Sequence, residues 1–300
     1  MSGGRLSLGT AQLGMIYGVA SRGELPSEAH AASLLGAAVE LGIDCLDTAA
    51  AYGLAESRIG AFLTARGLHD RVAVCTKLSS LRDVPTTDVG REVARRLTVS
   101  LQHLCADRID SVLLHDAADL SRHGEALVAA LVAEQFRGRV VDIGVSVYSP
   151  HELAALERYR ELNVVQHPFN LLDRRLLADD WPRRLARQGV KLQLRSVLLQ
   201  GVLAAGPDRL PETLSFAGPI VKRLHALLAE LGVAPLEIAV AFAAALEPDR
   251  IVIAADSVRQ LQTLVAAAGN RVPQDLVALL EAELGAVPDA LIDPRLWPPR

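Results

Sequence analysis

A parallel α/β barrel in a single domain is the fold predicted for this chain, and three observations predict it. Short apolar runs alternate with helical patterns from one end to the other, which is the signature of a parallel sheet covered by helices. Eight such runs are found between Leu6 and Ile253. No linker of convincing length divides the 300 residues, a length that α/β barrels reach as one unit. A doubly wound open sheet is the alternative topology.

The elements follow in order. Leu6 to Thr10 is the first strand, and Glu28 to Leu41 shows helical periodicity. Cys45-Leu46-Asp47 is the second strand, followed by a helix over Glu56 to Arg66. Val72 to Thr76 forms the third strand and ends at Lys77; a helix over Val89 to Leu104 precedes Val112-Leu113-Leu114, which ends at His115. Leu120 to Gln135 is helical and Val140 to Val147 extended. Ser149-Pro150 starts a helix, with Ser as the cap and Pro in the first turn. Val164 to His167 is a strand, a helix fills much of Arg174 to Arg187, and Leu192 to Leu198 is a strand. After a Pro-rich connection from Gly206 come helices over Ile220 to Leu231 and Pro235 to Ala245, the strand Ile251-Val252-Ile253, and helices over Val258 to Ala268 and Gln274 to Leu284.

Composition excludes several function classes. Hydrophobic residues make up 50% and charged residues 22%, enough to bury a large core. Net charge is −4 with no basic stripe, so nucleic acid is not an expected partner. No apolar run approaches the roughly 20 residues of a membrane helix, and no leader pattern opens the chain. A cytoplasmic location is expected, and a homo-oligomer remains open. Cys45, Cys75 and Cys105 are too few and scattered for a disulfide framework or zinc site and are expected as buried filler.

Asp47, Tyr52, Lys77 and His115 all lie at or just beyond strand ends, which in a parallel barrel open onto one face. Of 31 Lys+Arg, only Lys77, Lys191 and Lys222 are lysine. A chain that so favours Arg has little reason to use Lys for a solvated charge, and an ammonium, unlike a guanidinium, is compact and tunable by burial. Taken singly, the four would be a cap, a rim aromatic, a surface charge and a core histidine. Together they supply what carbonyl reduction needs: a phenol as proton donor, an ammonium to lower its pKa, a carboxylate to hold the ammonium, and an imidazole to orient the carbonyl.

The run Leu46-Asp47-Thr48-Ala49-Ala50-Ala51-Tyr52-Gly53, with Thr76-Lys77 and Leu113-Leu114-His115, resembles the catalytic signature of the aldo-keto reductase superfamily. Gly144-Val145-Ser146 and Val165-Gln166-His167 resemble two of its cofactor stretches, and Gly9-Thr10-Ala11-Gln12-Leu13-Gly14 with Tyr17-Gly18 resembles a bacterial branch often found with carbohydrate or secondary metabolism. The resemblance implies a TIM (β/α)8 barrel, NADP(H) or NAD(H) as cofactor, and a small-molecule carbonyl substrate. It implies Tyr52 as general acid, Lys77 and Asp47 as its tuning pair, His115 as the substrate-orienting group, and Ser146 and Gln166 on the nicotinamide carboxamide. Arg195 stands where many members stack an aromatic ring on the nicotinamide; a planar guanidinium can stack as well. In place of the usual Gly-x-Ser turn the chain has Ala254-Ala255-Asp256-Ser257-Val258-Arg259-Gln260, with Leu264 where Asn is often seen. Amides after Ser257 suit a phosphate; Asp256, expected as the helix cap, favours NADH over NADPH and Arg259 the reverse. The rivals to a reductase are a nicotinamide-binding regulatory subunit and an enzyme using tightly bound NAD transiently for epimerisation or elimination. His167, next to Gln166, should face away from it and be structural. Tyr148 and Trp181 are candidates for the substrate rim, and Trp297 for a cover over the barrel mouth or a subunit contact.

Overall fold

A computed structural model describes residues 5–19 and 23–298. Eight parallel strands close into a barrel in sequence order: β1 (Leu6–Gly9), β2 (Cys45–Asp47), β3 (Ala73–Leu78), β4 (Ile109–Leu114), β5 (Val140–Ser146), β6 (Val164–Pro168), β7 (Lys191–Arg195) and β8 (Arg250–Ile253). β1 pairs with both β2 and β8, so no strand edge is left exposed. The open-sheet alternative is excluded by that closure. Among the described residues no single helix is long and apolar enough to cross a membrane.

Side chains alternate along each strand, and the alternation separates two apolar regions. Leu46, Val74 and Val112 point outward into the large core between barrel and helices. Cys45, Cys75, Leu113 and Val164 form a small separate cluster inside the barrel. Above that plug the interior turns polar, where Asp47, Lys77 and Gln166 meet. Gly144 faces a neighbouring strand so closely that a Cβ there would lie 2.0 Å from the Val164 carbonyl oxygen.

Several elements differ from expectation for identifiable reasons. β7 ends at Arg195 because Ser196 adopts a left-handed conformation (φ 56°), which ends strand pairing three residues before the expected limit. The helix expected over 174–187 is a 3-10 stretch, Arg175–Asp180, broken where Asp179 and Asp180 take positive φ, and only Trp181–Arg187 is α-helical. The helix Ala118–Phe136 is interrupted at Gly124 (φ 53°). Cys105 is exposed, at a left-handed turn after the helix Val89–His103, whereas Cys45 and Cys75 are buried as expected. The helix Val258–Ala267 is capped by Ser257, whose hydroxyl accepts from the Gln260 amide, and not by Asp256.

Candidate active site

Asp47 ends β2, and its backbone carbonyl accepts from both the amide (3.0 Å) and the hydroxyl (2.9 Å) of Thr10 just past β1. Lys77 lies one position from the end of β3. Its ammonium donates to Asp47 Oδ1 at 2.7 Å and to the Thr48 carbonyl at 2.9 Å. Lys77 is only 1% exposed. Burial works against its charge, but the Asp47 carboxylate outweighs that cost and holds the ammonium above its ordinary pKa.

Tyr52 sits on the turn between β2 and the helix Ala55–Arg66, and that turn rests on the loop after β1. The Leu54 amide donates to the Gly14 carbonyl at 3.0 Å, and the Arg58 guanidinium reaches the Leu13 carbonyl. The Tyr52 ring lies 5.5 Å from the Lys77 nitrogen and meets the His115 ring edge-on, centroids 5.7 Å apart. Burial pushes the phenol above its ordinary pKa; Lys77 is the strongest opposing influence but does not reverse it. The expected lowering by lysine is therefore present and outweighed. Burial, with Lys77 and Arg195 adding to it, pulls His115 down to about 4, so its imidazole is neutral at ordinary pH.

The four residues line one cavity of about 230 Å³ at the C-terminal face of the barrel. Ser146, Arg195, Asp256 and Gln260 line it too, whereas Ser257 and Arg259 stand outside its wall. Asp256 is exposed, and its amide donates to Gln260 Oε1 at 2.8 Å. Leu264 is wholly buried in the core. Gln166 lies behind the wall: its Nε2 donates to Asp47 Oδ2 (2.6 Å) and Gln193 Oε1 (3.0 Å), leaving its buried Oε1 without a partner. It thus fixes the second oxygen of Asp47 from below. His167 is buried on the opposite side of β6, its Nδ1 2.6 Å from the Pro168 carbonyl.

Arg195 is held on three sides. Nε donates to Ser146 Oγ (3.1 Å), Nη1 to Ser196 Oγ (3.0 Å) and Nη2 to the Val147 carbonyl (2.9 Å), with its carbon 3.9 Å from the Tyr148 ring centroid. Arg295, from the turn Pro294–Leu296, reaches the same ring at 3.8 Å. Arg295 also pairs with Asp293 (2.7 Å) and Glu152 (3.2 Å), tying the C-terminal segment over β5. Tyr148 and Pro294 border the cavity; Trp181 does not, being buried beneath Arg184, and Trp297 turns inward to the Leu291 carbonyl. Sequence reasoning passed over Gln12, Tyr17 and Gln200 as cavity residues. Gln12 and Tyr17 lie inside the run that carries the family resemblance, and the fold turns their side chains into the cavity wall. Gln200 had no signal, since its place depends on the left-handed turns at Ser196 and Leu199.

A closed (β/α)8 barrel with its polar cluster on the C-terminal face is the class of architecture on which barrel enzymes build their sites. Comparison with known proteins makes this specific: the chain belongs to the aldo/keto reductase family, whose model matches residues 5–283. It is 29% identical over 153 residues to a 6-dehydroglucose reductase of Novosphingobium aromaticivorans, covering 48% of this chain and 49% of that protein. It is 30% identical over 148 residues to the aldo-keto reductase YhdN of Bacillus subtilis, covering 47% of this chain and 44% of that protein. The chain thus spans about half the length of the curated relatives it matches. A solved structure from Pseudomonas aeruginosa, described as an aldo-keto reductase, shares the fold with a TM-score of 0.65 at 22% identity over 88% of this chain and 89% of that one.

Proposed function

We propose that this chain reduces an aldehyde or ketone to the alcohol with a nicotinamide cofactor, Tyr52 giving the proton. The observation that carries the reading is the buried Lys77–Asp47 pair sharing one cavity with Tyr52 and His115. The residues present fit a nicotinamide. Gln12, on the cavity wall, keeps a buried amide oxygen without a partner, which suits an N–H group of a carboxamide, and Ser146 lies beside Arg195 on the same wall. Ser146 would hold the carboxamide from the wall, with Gln166 supporting the site from behind through Asp47, Arg195 would stack on the ring, and Asp256, Ser257, Arg259 and Gln260 would face the adenosine end. Bound there, the cofactor would supply hydride to the carbonyl carbon.

The chain's own groups do the rest. A neutral His115 donates one N–H to the carbonyl oxygen and so places it near the Tyr52 hydroxyl. Tyr52 stays protonated through neutral pH and gives its proton as negative charge develops on that oxygen. Lys77 favours the phenolate left behind, and Asp47 keeps Lys77 charged and in place. A carbohydrate-like carbonyl fits a wall built from tyrosine, glutamine and serine side chains, in line with the sugar-derived name of one relative.

Two measurements test this reading. Tyr52→Phe is expected to lower turnover of a carbonyl substrate by 10³-fold or more, on the order expected for loss of a positioned acid and its charge network, with cofactor binding intact. Surviving activity would remove Tyr52 from the proton-donor role. Titration of the purified protein with NADPH and NADH, followed by tryptophan quenching, separates the rest. Tighter NADH binding assigns Asp256 the ribose, and tighter NADPH binding gives the larger weight to Arg259. Binding without turnover of any carbonyl would favour a regulatory subunit, and NAD retained through purification an enzyme of transient redox.

A further inference from the structure

Stacking does not distinguish a guanidinium from an aromatic ring, but charge does. Among the described residues no carboxylate pairs with Arg195; its three hydrogen bonds go to two hydroxyls and a carbonyl. Every other charge at the inner end of the cavity is cancelled or absent. Lys77 is neutralised by Asp47, and His115 is uncharged at ordinary pH. Asp256 is exposed, where water screens it. Arg295, on the same Tyr148 ring, has Asp293 and Glu152. Arg195 is thus a half-buried cation with no counter-charge, near enough to influence Tyr17, Tyr52 and His115.

Hydride transfer requires the nicotinamide ring to touch the carbonyl carbon whose oxygen lies at Tyr52, so the ring must occupy this end of the cavity, beside Arg195. The reduced ring is neutral and the oxidised ring carries one positive charge. We propose that Arg195 sets the redox preference of the site, its unpaired charge favouring the reduced cofactor and expelling the oxidised one. The proposal rests on the reading that nicotinamide is the hydride source. Its consequence is that the protein loads reduced cofactor from a mixed pool and is weakly inhibited by the oxidised product.

Calorimetric titration with NADPH, NADP+, NADH and NAD+ tests it, because each redox pair shares one adenosine end and the ratio isolates the ring. Wild-type protein is expected to bind the reduced member of its better-bound pair about tenfold more tightly or beyond, the scale of one unit charge at intermediate dielectric. Arg195→Gln and Arg195→Tyr should each shrink that ratio by about fivefold or more, while Arg195→Lys, which keeps the charge, should preserve it. A wild-type ratio near one overturns the proposal without any variant. So does a ratio unchanged in both neutral variants, and either result leaves the reductase reading standing. Binding of no nicotinamide at all sinks both.

Discussion

Lys77 and His115 are a pair of neighbours on which burial acts in the same direction, with opposite outcomes. Burial disfavours charge on both. Lys77 keeps its charge because Asp47 lies 2.7 Å away, while His115 meets cations and loses its own. His115 is therefore expected to titrate near pH 4 when its ring protons are followed by NMR, and the rate of reduction should show no histidine step above about pH 5. A step between about 6 and 7, the ordinary range for this side chain, would mean that His115 works as a charged group. At this scale the sequence was informative where chemistry and strand ends coincide. The scarcity of lysine pointed to Lys77 before any geometry did. Gln166 was legible as a polar strand residue, but its hold on Asp47 depends on the register of Ser146 against Gln166 and of Gln166 against Gln193. No residue type declares a register.

At the scale of elements, the turn carrying Tyr52 is fixed by contact with the loop after β1. A Cβ on Gly14 would lie 2.0 Å from the Tyr52 carbonyl oxygen, and one on Gly53, at φ 57°, would lie 2.3 Å from the Gly14 carbonyl oxygen. Only glycine lets these backbones approach so closely. Gly14→Ala is expected to push the Tyr52 turn outward and lower kcat by about 10²-fold, the cost of roughly 1 Å of misplacement at a reacting group. Gly36→Ala, in the helix Glu28–Glu40 with open space at its Cβ, should leave kcat and Tm near wild type. Equal behaviour of the two variants would separate Tyr52 from this contact. The strands and long helices were legible because burial imposes their periodicity. The segments 174–180 and 196–206 were not. Their paths run through left-handed residues such as Asp179, Ser196 and Gln200, none of them glycine, and such conformations are held by tertiary packing rather than local preference.

For the whole molecule, the helix layer packed on the outside of the barrel buries polar groups as well as apolar ones, and His167, on the outward face of β6, is one of them. Burial holds its pKa down to about 3, against the pull of its hydrogen bond to the Pro168 carbonyl. The unfolded chain takes up a proton below about pH 6.5 that the folded chain refuses until near 3, so stability is full above 6.5 and falls as pH drops through that window. His167 alone should remove about 3 kcal/mol between pH 7 and 4. His167→Asn, whose amide can still donate to Pro168, should show a correspondingly smaller loss in urea unfolding at the two pH values. An identical loss would place the acid sensitivity elsewhere.

The cavity draws its wall from Gly9 of β1 and Pro294 far along the chain, with Val252 of the closing strand between. Synthesis on the ribosome is vectorial. A nascent chain that has already exposed Asp47, Tyr52, Lys77 and His115 still lacks β8, and with it the partner that seals β1. The chemistry is thus written early and enclosed late, so a product of premature termination would carry all four reactive groups without the chamber that gives them a use.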